Sequence, residues 1–482
     1  MTSPLPFHRR VEQALGNQQL RGAIGRATAR KVEGRLAALA GLADADRLRD
    51  EGRRIRANAL GRLDEQLTRF VEQVERHGGT AVWAPDADHA VRYLVDLARA
   101  RGVKSIVKSK SMVTEEIELN RAIEAAGLRV VETDLGEYVI QLDHDHPSHI
   151  VAPIIHKTRQ DIAATFKREV GATDADVADI PSMTAFARRK LRQDFLTAGM
   201  GVSGVNFGIA ETGTLCICTN EGNGRLTTTV PRIHVAFMGI ERILPTLADL
   251  GIMLQLLARS STGQKLTAYT NLLTGPRRPG LDAESDGPDE LHVVLVDNGR
   301  SHVLGSELAE ILYCIRCGAC LNACPVYRQI GGHAYGSVYP GPVGAVFTPA
   351  IGGLADWSDL PHASSLCGAC REVCPVRIDI PRMLLALRAR AATEGHGPWW
   401  ARVGLRAYRF TAVRPTLFRL AGRLTARATS LVARDGRISK LPGPLAGWTR
   451  YREFPAMAPR TFQEQWKGRR QESGSGISSA GL

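Results

Sequence analysis

The sequence predicts an α/β chain in which a largely parallel sheet follows a helical lead-in and precedes a smaller domain of short helices. Three observations carry that expectation. Between about residues 79 and 303, short β-branched runs alternate with amphipathic segments, the pattern of parallel strands joined by crossover helices. Residues 1–78 are rich in Ala, Leu, Arg and Glu with apolar residues at helical spacing, as in Leu63, Leu67, Phe70 and Val71. Seven of the nine cysteines crowd between positions 314 and 374.

The strand candidates are, in order, Thr80 to Trp83, Ser105 to Val107, Arg129 to Glu132 and Tyr138 to Leu142. Asp88 to Arg101 and Thr114 to Ala126 are the helices expected between them. Gly208 to Thr219, Arg232 to Met238 and Leu291 to Val296 continue the strands. Thr262 to Glu290 is dense in Gly, Pro and Asp, and is expected to be a surface loop. Residues 304–394 hold the cysteines, and the stretch Gly331 to Gly353 inside them is too rich in Gly and Pro to predict a regular element. The last region, 395–482, is basic and ends in a Gly/Ser-rich segment of disordered composition.

Cys314, Cys317, Cys320 and Cys324, followed by Pro325, read C-x2-C-x2-C-x3-C-P. This is the bacterial ferredoxin spacing, in which three thiolates hold one iron–sulfur cluster and the fourth reaches to another. Cys367, Cys370 and Cys374, followed by Pro375, repeat it with Ser364 where the first cysteine of a full copy would stand. Zinc sites show two C-x2-C pairs separated by a loop, which this pattern does not match. A disulfide framework is disfavoured by clustered cysteines in a long chain without a secretory signal, and the composition points to the cytosol. Cys216 and Cys218 are expected to be free core thiols.

The formal net charge is +13. Residues 395–482 contain 16 Lys/Arg against 4 Asp/Glu, so nearly all of the excess lies there. The remainder is close to neutral, which argues against a nucleic-acid partner. Aromatic residues among those arginines suit a partner subunit or, second, peripheral contact with the inner membrane face. The glycines at 201, 204, 222 and 224 do not form a dinucleotide fingerprint.

The cysteine runs, with Gly331-Gly332-His333-Ala334-Tyr335-Gly336-Ser337 and Pro342-Val343-Gly344-Ala345-Val346, resemble the iron–sulfur subunit of bacterial lactate utilisation, the LutB (YkgF) family. Lys108 to Glu116, Glu211-Thr212-Gly213-Thr214 and Asn220 to Arg225 are similar to segments of its lactate-utilisation (LUD) domain. The resemblance implies a sheet similar to that of sugar-phosphate isomerases and CoA-transferases. It also implies oxidation of L-lactate to pyruvate, without NAD, with two partners: a CCG-domain iron–sulfur subunit (LutA-like) and a small LUD protein (LutC-like). The missing cysteine is itself a pattern of that family.

By the two-cluster ferredoxin logic, cluster one takes Cys314, Cys317, Cys320 and Cys374, and cluster two takes Cys324, Cys367 and Cys370. Cluster two then has three outcomes: a three-iron cluster, a four-iron cluster with Ser364 or another oxygen ligand, or a four-iron cluster with an open iron. An electron-transfer or structural role is favoured over an open catalytic iron. Arg316, Arg371 and Arg377 lie in the runs, where positive charge favours the reduced cluster. As a candidate substrate site we single out Glu211, Thr212, Gly213, Thr214, Asn220 and Arg225, with Lys108 and Lys110 as further cations, because loops after strand ends bind ligands. His156 and Glu116 are weaker acid/base candidates.

Overall fold

The computed structural model describes residues 5–147, 153–277, 287–397 and 399–466. It divides the chain into two units, Met1–His396 and Gly397–Leu482.

The centre of the first unit is a parallel sheet. Its strands belong to a series of ten: β1 Thr80–Ala84, β2 Ser105–Lys108, β3 Arg129–Glu132, β4 Met200–Gly204, β5 Phe207–Ile209, β6 Thr214–Thr219, β7 Ile233–Gly239, β8 Ile243–Leu244, β9 Tyr269–Leu273 and β10 Glu290–Val296. Six of them form the sheet in the order β1-β10-β7-β4-β2-β3. Every neighbouring pair is parallel, with Val293 opposite Ala236 and Lys108 opposite Glu132. Parallel strands buried on both faces read as continuous apolar runs, and β7 is buried along its whole length. The other four make a small sheet in the order β8-β5-β6-β9, with β5 and β6 as a hairpin. Thus the single run Gly208 to Thr219 becomes two antiparallel strands turning at Gly213, whose φ is 67°.

Three expectations are corrected. Tyr138 to Leu142 is not a strand but the second half of a helix, Leu135–Leu142. Asp134 caps it by accepting from Gly136 N at 3.0 Å, and Tyr138, Val139 and Ile140 form its buried side. A short apolar run has no period long enough to separate helix from strand. Thr114 to Ala126 is broken by Glu118, with φ 51°, into Met112–Glu116 and Leu119–Ala125. Within Gly331 to Gly353 lies a helix, Gly341–Gly352, buried through Pro349. Pro342 sits in its first turn, where the missing N–H breaks no bond. Gly344 lies so close to the Tyr339 carbonyl that a Cβ there would be 1.6 Å from its oxygen. The predicted loop Thr262 to Glu290 contains β9, and its residues 278–286 lie outside the described residues, as does the Gly/Ser-rich end after 466.

Four helices, Phe7–Gly16, Gln18–Ala40, Ala45–Gly61 and Leu63–Arg76, make the lead-in. Their apolar residues share one core with the small sheet and the cysteine region, where Ile55, Phe70, Leu256, Cys320 and Val376 are all buried. Fusing these parts around one core removes more apolar surface from water than separate small domains would.

The second unit holds the helices Trp399–Ala412 and Pro415–Val432, with a two-residue antiparallel pairing of Arg437–Ile438 to Phe454–Pro455. Tyr408 meets Phe418 edge-on at 6.5 Å between the helices. Neither helix has an acidic residue, and Trp399, Leu405, Phe410, Phe418 and Leu424 are exposed. Among the described residues no helix is long and apolar enough to cross a membrane.

Candidate functional site

The two cysteine runs fold as copies. Arg316 and Leu366 both have positive φ, 58° and 56°, two residues after Cys314 and Ser364. Gly318 and Gly368 follow, also left-handed at 75° and 84°, and each opens a one-turn helix, Ala319–Ala323 or Ala369–Val373. Such dihedrals are cheap for glycine and costly for arginine or leucine, so repeating them means both loops must curl around something. The local bonding repeats too: Arg316 N donates to Cys314 Sγ at 3.4 Å, and Leu366 N donates to Ser364 Oγ at 3.1 Å. Ser364 therefore occupies the cysteine's backbone niche.

The runs then close on each other. Cys314, Cys317, Cys320 and Cys374 line one small cavity, with Ile315, Val343, Val376, Ile378 and Ile380 around it. Cys324 and Cys370 are both buried, and each feels the charge of exposed Cys367. Desolvation pushes the thiols of Cys374 and Cys370 up, to about 11 and about 12, and Cys317 and Cys320 higher still. Four sulfurs facing a shared cavity, with Cys317, Cys320 and Cys374 buried and costly as bare thiolates and Cys314 half-buried beside them, fit the donor set of a metal–sulfur cluster. Cys367 differs: its thiol is pulled down by the Ala369 N–H and the Ser365 hydroxyl.

Arginines of the lead-in hold this arrangement. Arg49, Arg53 and Arg56 lie on one face of the helix Ala45–Gly61, by their spacing of four and three. Arg49 Nε donates to Cys374 O at 3.2 Å, Arg53 Nη1 to Arg377 O at 2.7 Å, and Arg56 Nη2 to Leu312 O at 3.0 Å. Arg35, from the preceding helix, donates to Val373 O at 2.9 Å. That face was legible as a 3–4 spacing of arginines, but these target carbonyls lie 256 to 325 residues downstream, and that of Arg35 lies 338 downstream.

A larger cavity of about 340 Å³ opens at the carboxyl ends of β2, β4 and β7. Ser109, Lys110, Ser111, Gly204 and Gly239 line it from the strand ends, and Asn206, Cys218, Asn220 and Glu221 from the small sheet and its following loop. Its floor is an ion-pair network. Arg300 donates to both oxygens of Glu116 at 2.7–2.8 Å and to Glu241 at 2.7 Å. Asn298 and Tyr339 also donate to Glu116. Gly239 makes room for it, since a Cβ there would be 2.2 Å from Glu241 Oε2. Glu241 lies 3.6 Å from Arg316 and 3.9 Å from Arg242; against the opposing effect of burial, Arg300 first and then Arg242 and Arg316 hold its carboxyl down at about 2. Arg316 stacks between Tyr339 and Phe347, 4.1 and 4.3 Å from the ring centroids. It lines both this cavity and the cysteine pocket.

The sequence-predicted residues are thereby separated. Glu211 to Thr214 form the β5–β6 turn at one end of β6, and Asn220 follows its other end, roughly 17 Å away at strand rise. Glu211 Oε2 accepts from Leu247 N at 3.1 Å, Thr214 bonds Thr212 and Thr274 at 2.7 Å, and Gly213 packs against Gln73 and Val74. That turn is structural and does not reach the cavity. Arg225 is exposed on the helix Asn223–Thr229 and is not in the lining. Lys108 is wholly buried against Glu132 at 2.5 Å, whereas Lys110 lines the cavity. Glu116 belongs to the floor, its carboxyl lowered by Arg300, and His156 pairs with Asp145 at 3.0 Å elsewhere. Of the arginines in the runs, Arg316 has the most enclosed side chain; Arg371 pairs with Asp379 in solvent and Arg377 with Asp46 and Asp50. Cys218, expected in the core, lines the cavity 3.8 Å from Cys216. Sequence reasoning missed Arg242 and Glu241, which carry no motif.

Comparison with known proteins agrees with this organisation. Family models match the LUD domain at residues 67–296, a 4Fe-4S dicluster domain at 310–378 and the C-terminal region of lactate utilisation protein B at 390–471. Lactate utilization protein B of Bacillus licheniformis is 44% identical over 470 residues, covering 97% of this chain and 98% of that one. Its counterpart from Geobacillus kaustophilus is 45% identical over 472 residues, covering 98% of each. The chain belongs to the lactate utilization protein B family. Its fold is a LUD α/β domain joined to a 4Fe-4S dicluster domain. A crystal structure of a DUF162 family protein from Deinococcus radiodurans aligns with a TM-score of 0.26 at 14% identity, over 48% of this chain and 98% of that one, too low a score to argue from.

Proposed function

We propose that this chain is the cytoplasmic iron–sulfur electron-transfer subunit of a complex that oxidises L-lactate to pyruvate and allows growth on lactate. The observation that carries the reading is the interleaving of the runs, with Cys374 of the second joining three cysteines of the first around one pocket. Two iron–sulfur clusters held in this way supply one-electron carriers side by side, suited to a reaction that releases two electrons and two protons. Cys314, Cys317, Cys320 and Cys374 would hold the first; Cys324, Cys367 and Cys370, with Ser364 Oγ as the fourth donor, the second. The backbone niche that Ser364 shares with Cys314 supports that choice among the three outcomes.

Arg316, Arg242 and Arg56 stand close enough to Cys314 to act on its charge. Positive charge there favours the more negative, reduced state and raises the potential of the first site. Cys367 is the exposed thiol of the second, which makes that run the side for exchange with a CCG-domain subunit and a small LUD protein. The basic second unit, with its exposed Trp and Phe side chains, would provide a surface for a partner subunit.

Deletion of the gene should abolish growth on L-lactate and leave growth on pyruvate intact. In potentiometric EPR on anaerobic protein, both signals should be reduced by L-lactate once the two partners are added. Signals that never respond to lactate would leave a scaffold with structural clusters.

A further inference from the structure

We propose that the cavity at the carboxyl ends of β2, β4 and β7 is a binding site for a small 2-hydroxy or 2-keto monocarboxylate, with Arg242 and Lys110 as its carboxylate anchors. This deepens the lactate reading above and rests on it for the identity of the acid. Four features of the cavity support it.

First, the cationic side chains on the floor are not fully matched by anions. Arg242, Arg300 and Arg316 share two carboxylates, and Arg300 takes both oxygens of one of them. Second, Arg242 has donors to offer. One Nη donates to Cys314 O at 3.1 Å, its Nε is a distant 3.9 Å from Glu241, and its other Nη has no partner among the described residues. Arg316, only 8% exposed, keeps a buried Nη1 without a partner. A guanidinium in this condition is stabilised by a planar oxyanion. Third, the walls suit a hydroxyl or carbonyl beside that carboxylate. Asn206 accepts from Cys218 N through Oδ1, which leaves its amide Nδ2 without a protein partner among the described residues, and Ser109 is nearby in the lining. Fourth, the position is the crevice where α/β sheets bind ligands. Arg316 lines both this cavity and the cysteine pocket, and among the described residues no other lining residue is shared.

The same arginines face Cys314, so their charge has a rival explanation in the neighbouring cluster alone. Ligand binding separates the two. Anaerobically purified full-length protein with its iron is titrated calorimetrically with L-lactate, pyruvate and inorganic phosphate, and the EPR line shape of the reduced protein is recorded with and without each. The expected result is saturable binding of lactate or pyruvate, a changed EPR signal, and at least tenfold weaker binding in Arg242→Met and in Lys110→Gln. Lys110 is 26% exposed, lies 3.9 Å from Glu137 and faces Glu115 and Glu221, so the unfolding midpoint of Lys110→Gln is measured beside its affinity, and a parent-like midpoint with weakened binding is the expected pair. Arg225→Gln, outside the lining, should bind as the parent does. Absence of saturable binding, binding of phosphate in place of the acids, or affinity unchanged in Lys110→Gln would each overturn the site. If lactate still reduces the clusters when both partners are present, the electron-transfer reading survives that failure.

Discussion

The two cysteine runs share a backbone and differ in what surrounds them. The first lies on the ion-pair floor of the cavity, with Arg316 stacked between two rings and Cys317, Cys320 and Cys324 buried. The second faces solvent at Cys367, has Ser364 in place of a thiol, and is gripped from behind by Arg35 and Arg49 through the carbonyls of Val373 and Cys374. One loop geometry thus serves an inward-facing and an outward-facing site. The difference teaches that polarity in this domain comes from the neighbouring elements, since the runs themselves are nearly equivalent.

That contrast can be broken most severely at its inner side. Glu241→Gln leaves Arg242, Arg300 and Arg316 with one carboxylate in a buried site. Breaking a buried ion pair costs about 3–5 kcal/mol, so urea unfolding of the variant should show a loss of that order. An unchanged midpoint would mean that the network contributes nothing to stability. The lowered carboxyl of Glu241 also gives the sign of its pH effect. Its folded value, about 2, lies below the unfolded range, so its contribution is complete above the unfolded value and disappears as pH falls through the folded one. Glu241→Gln should therefore lack this part of the parent's acid destabilisation between roughly pH 4.5 and 2.

At the outer side, Ser364→Ala should convert the second site to a three-iron cluster, visible as a new oxidised-state EPR signal with lower iron content. Ser364→Cys should keep four irons and shift only the second potential. Identical spectra for all three proteins would remove Ser364 from the ligand set. A gentler probe is alkylation of the iron-free protein near neutral pH. Cys367 is exposed with a lowered thiol, whereas Cys317, Cys320 and Cys374 are buried with raised ones. Peptide mapping should find Cys367 labelled first, and uniform labelling would show that the runs do not differ in access.

The smallest expected effect distinguishes the arginines. Arg371 is 64% exposed in its pair with Asp379, so Arg371→Ala should change stability by less than about 1 kcal/mol. Arg316→Met, by contrast, removes a buried stacked cation beside Cys314 and should lower the first potential. Equal potentials in the two variants would show that burial of Arg316 has no electrostatic consequence for the cluster.

The strands β1, β2, β3, β7 and β10 were legible because β-branched runs between amphipathic segments need no long-range information. Tyr138 to Leu142 was not, since five apolar residues suit either a strand or the buried side of a helix, and only the Asp134 cap and the completed sheet edge decide. The helix Gly341–Gly352 was hidden by its own composition: small residues break isolated helices but permit close packing in a core. The candidate substrate residues were divided for a related reason, with Asn220 at the cavity and Glu211 to Thr214 away from it. Glu211 to Thr214 and Asn220 are close in sequence, yet an extended strand carries them to opposite ends.

Covalent spacing alone determined the iron–sulfur character of this protein. A ligand set on one short loop is written in adjacent residues, and so is the substitution of Ser364 for a cysteine. Tertiary structure decided which thiols face each other, which of them reaches solvent, and where the charged cavity lies. Arg56, Arg242, Glu241 and Arg316 are scattered over some 260 residues and carry no motif. Their common meaning is a buried electrostatic balance, which exists only once the chain has folded and water has left.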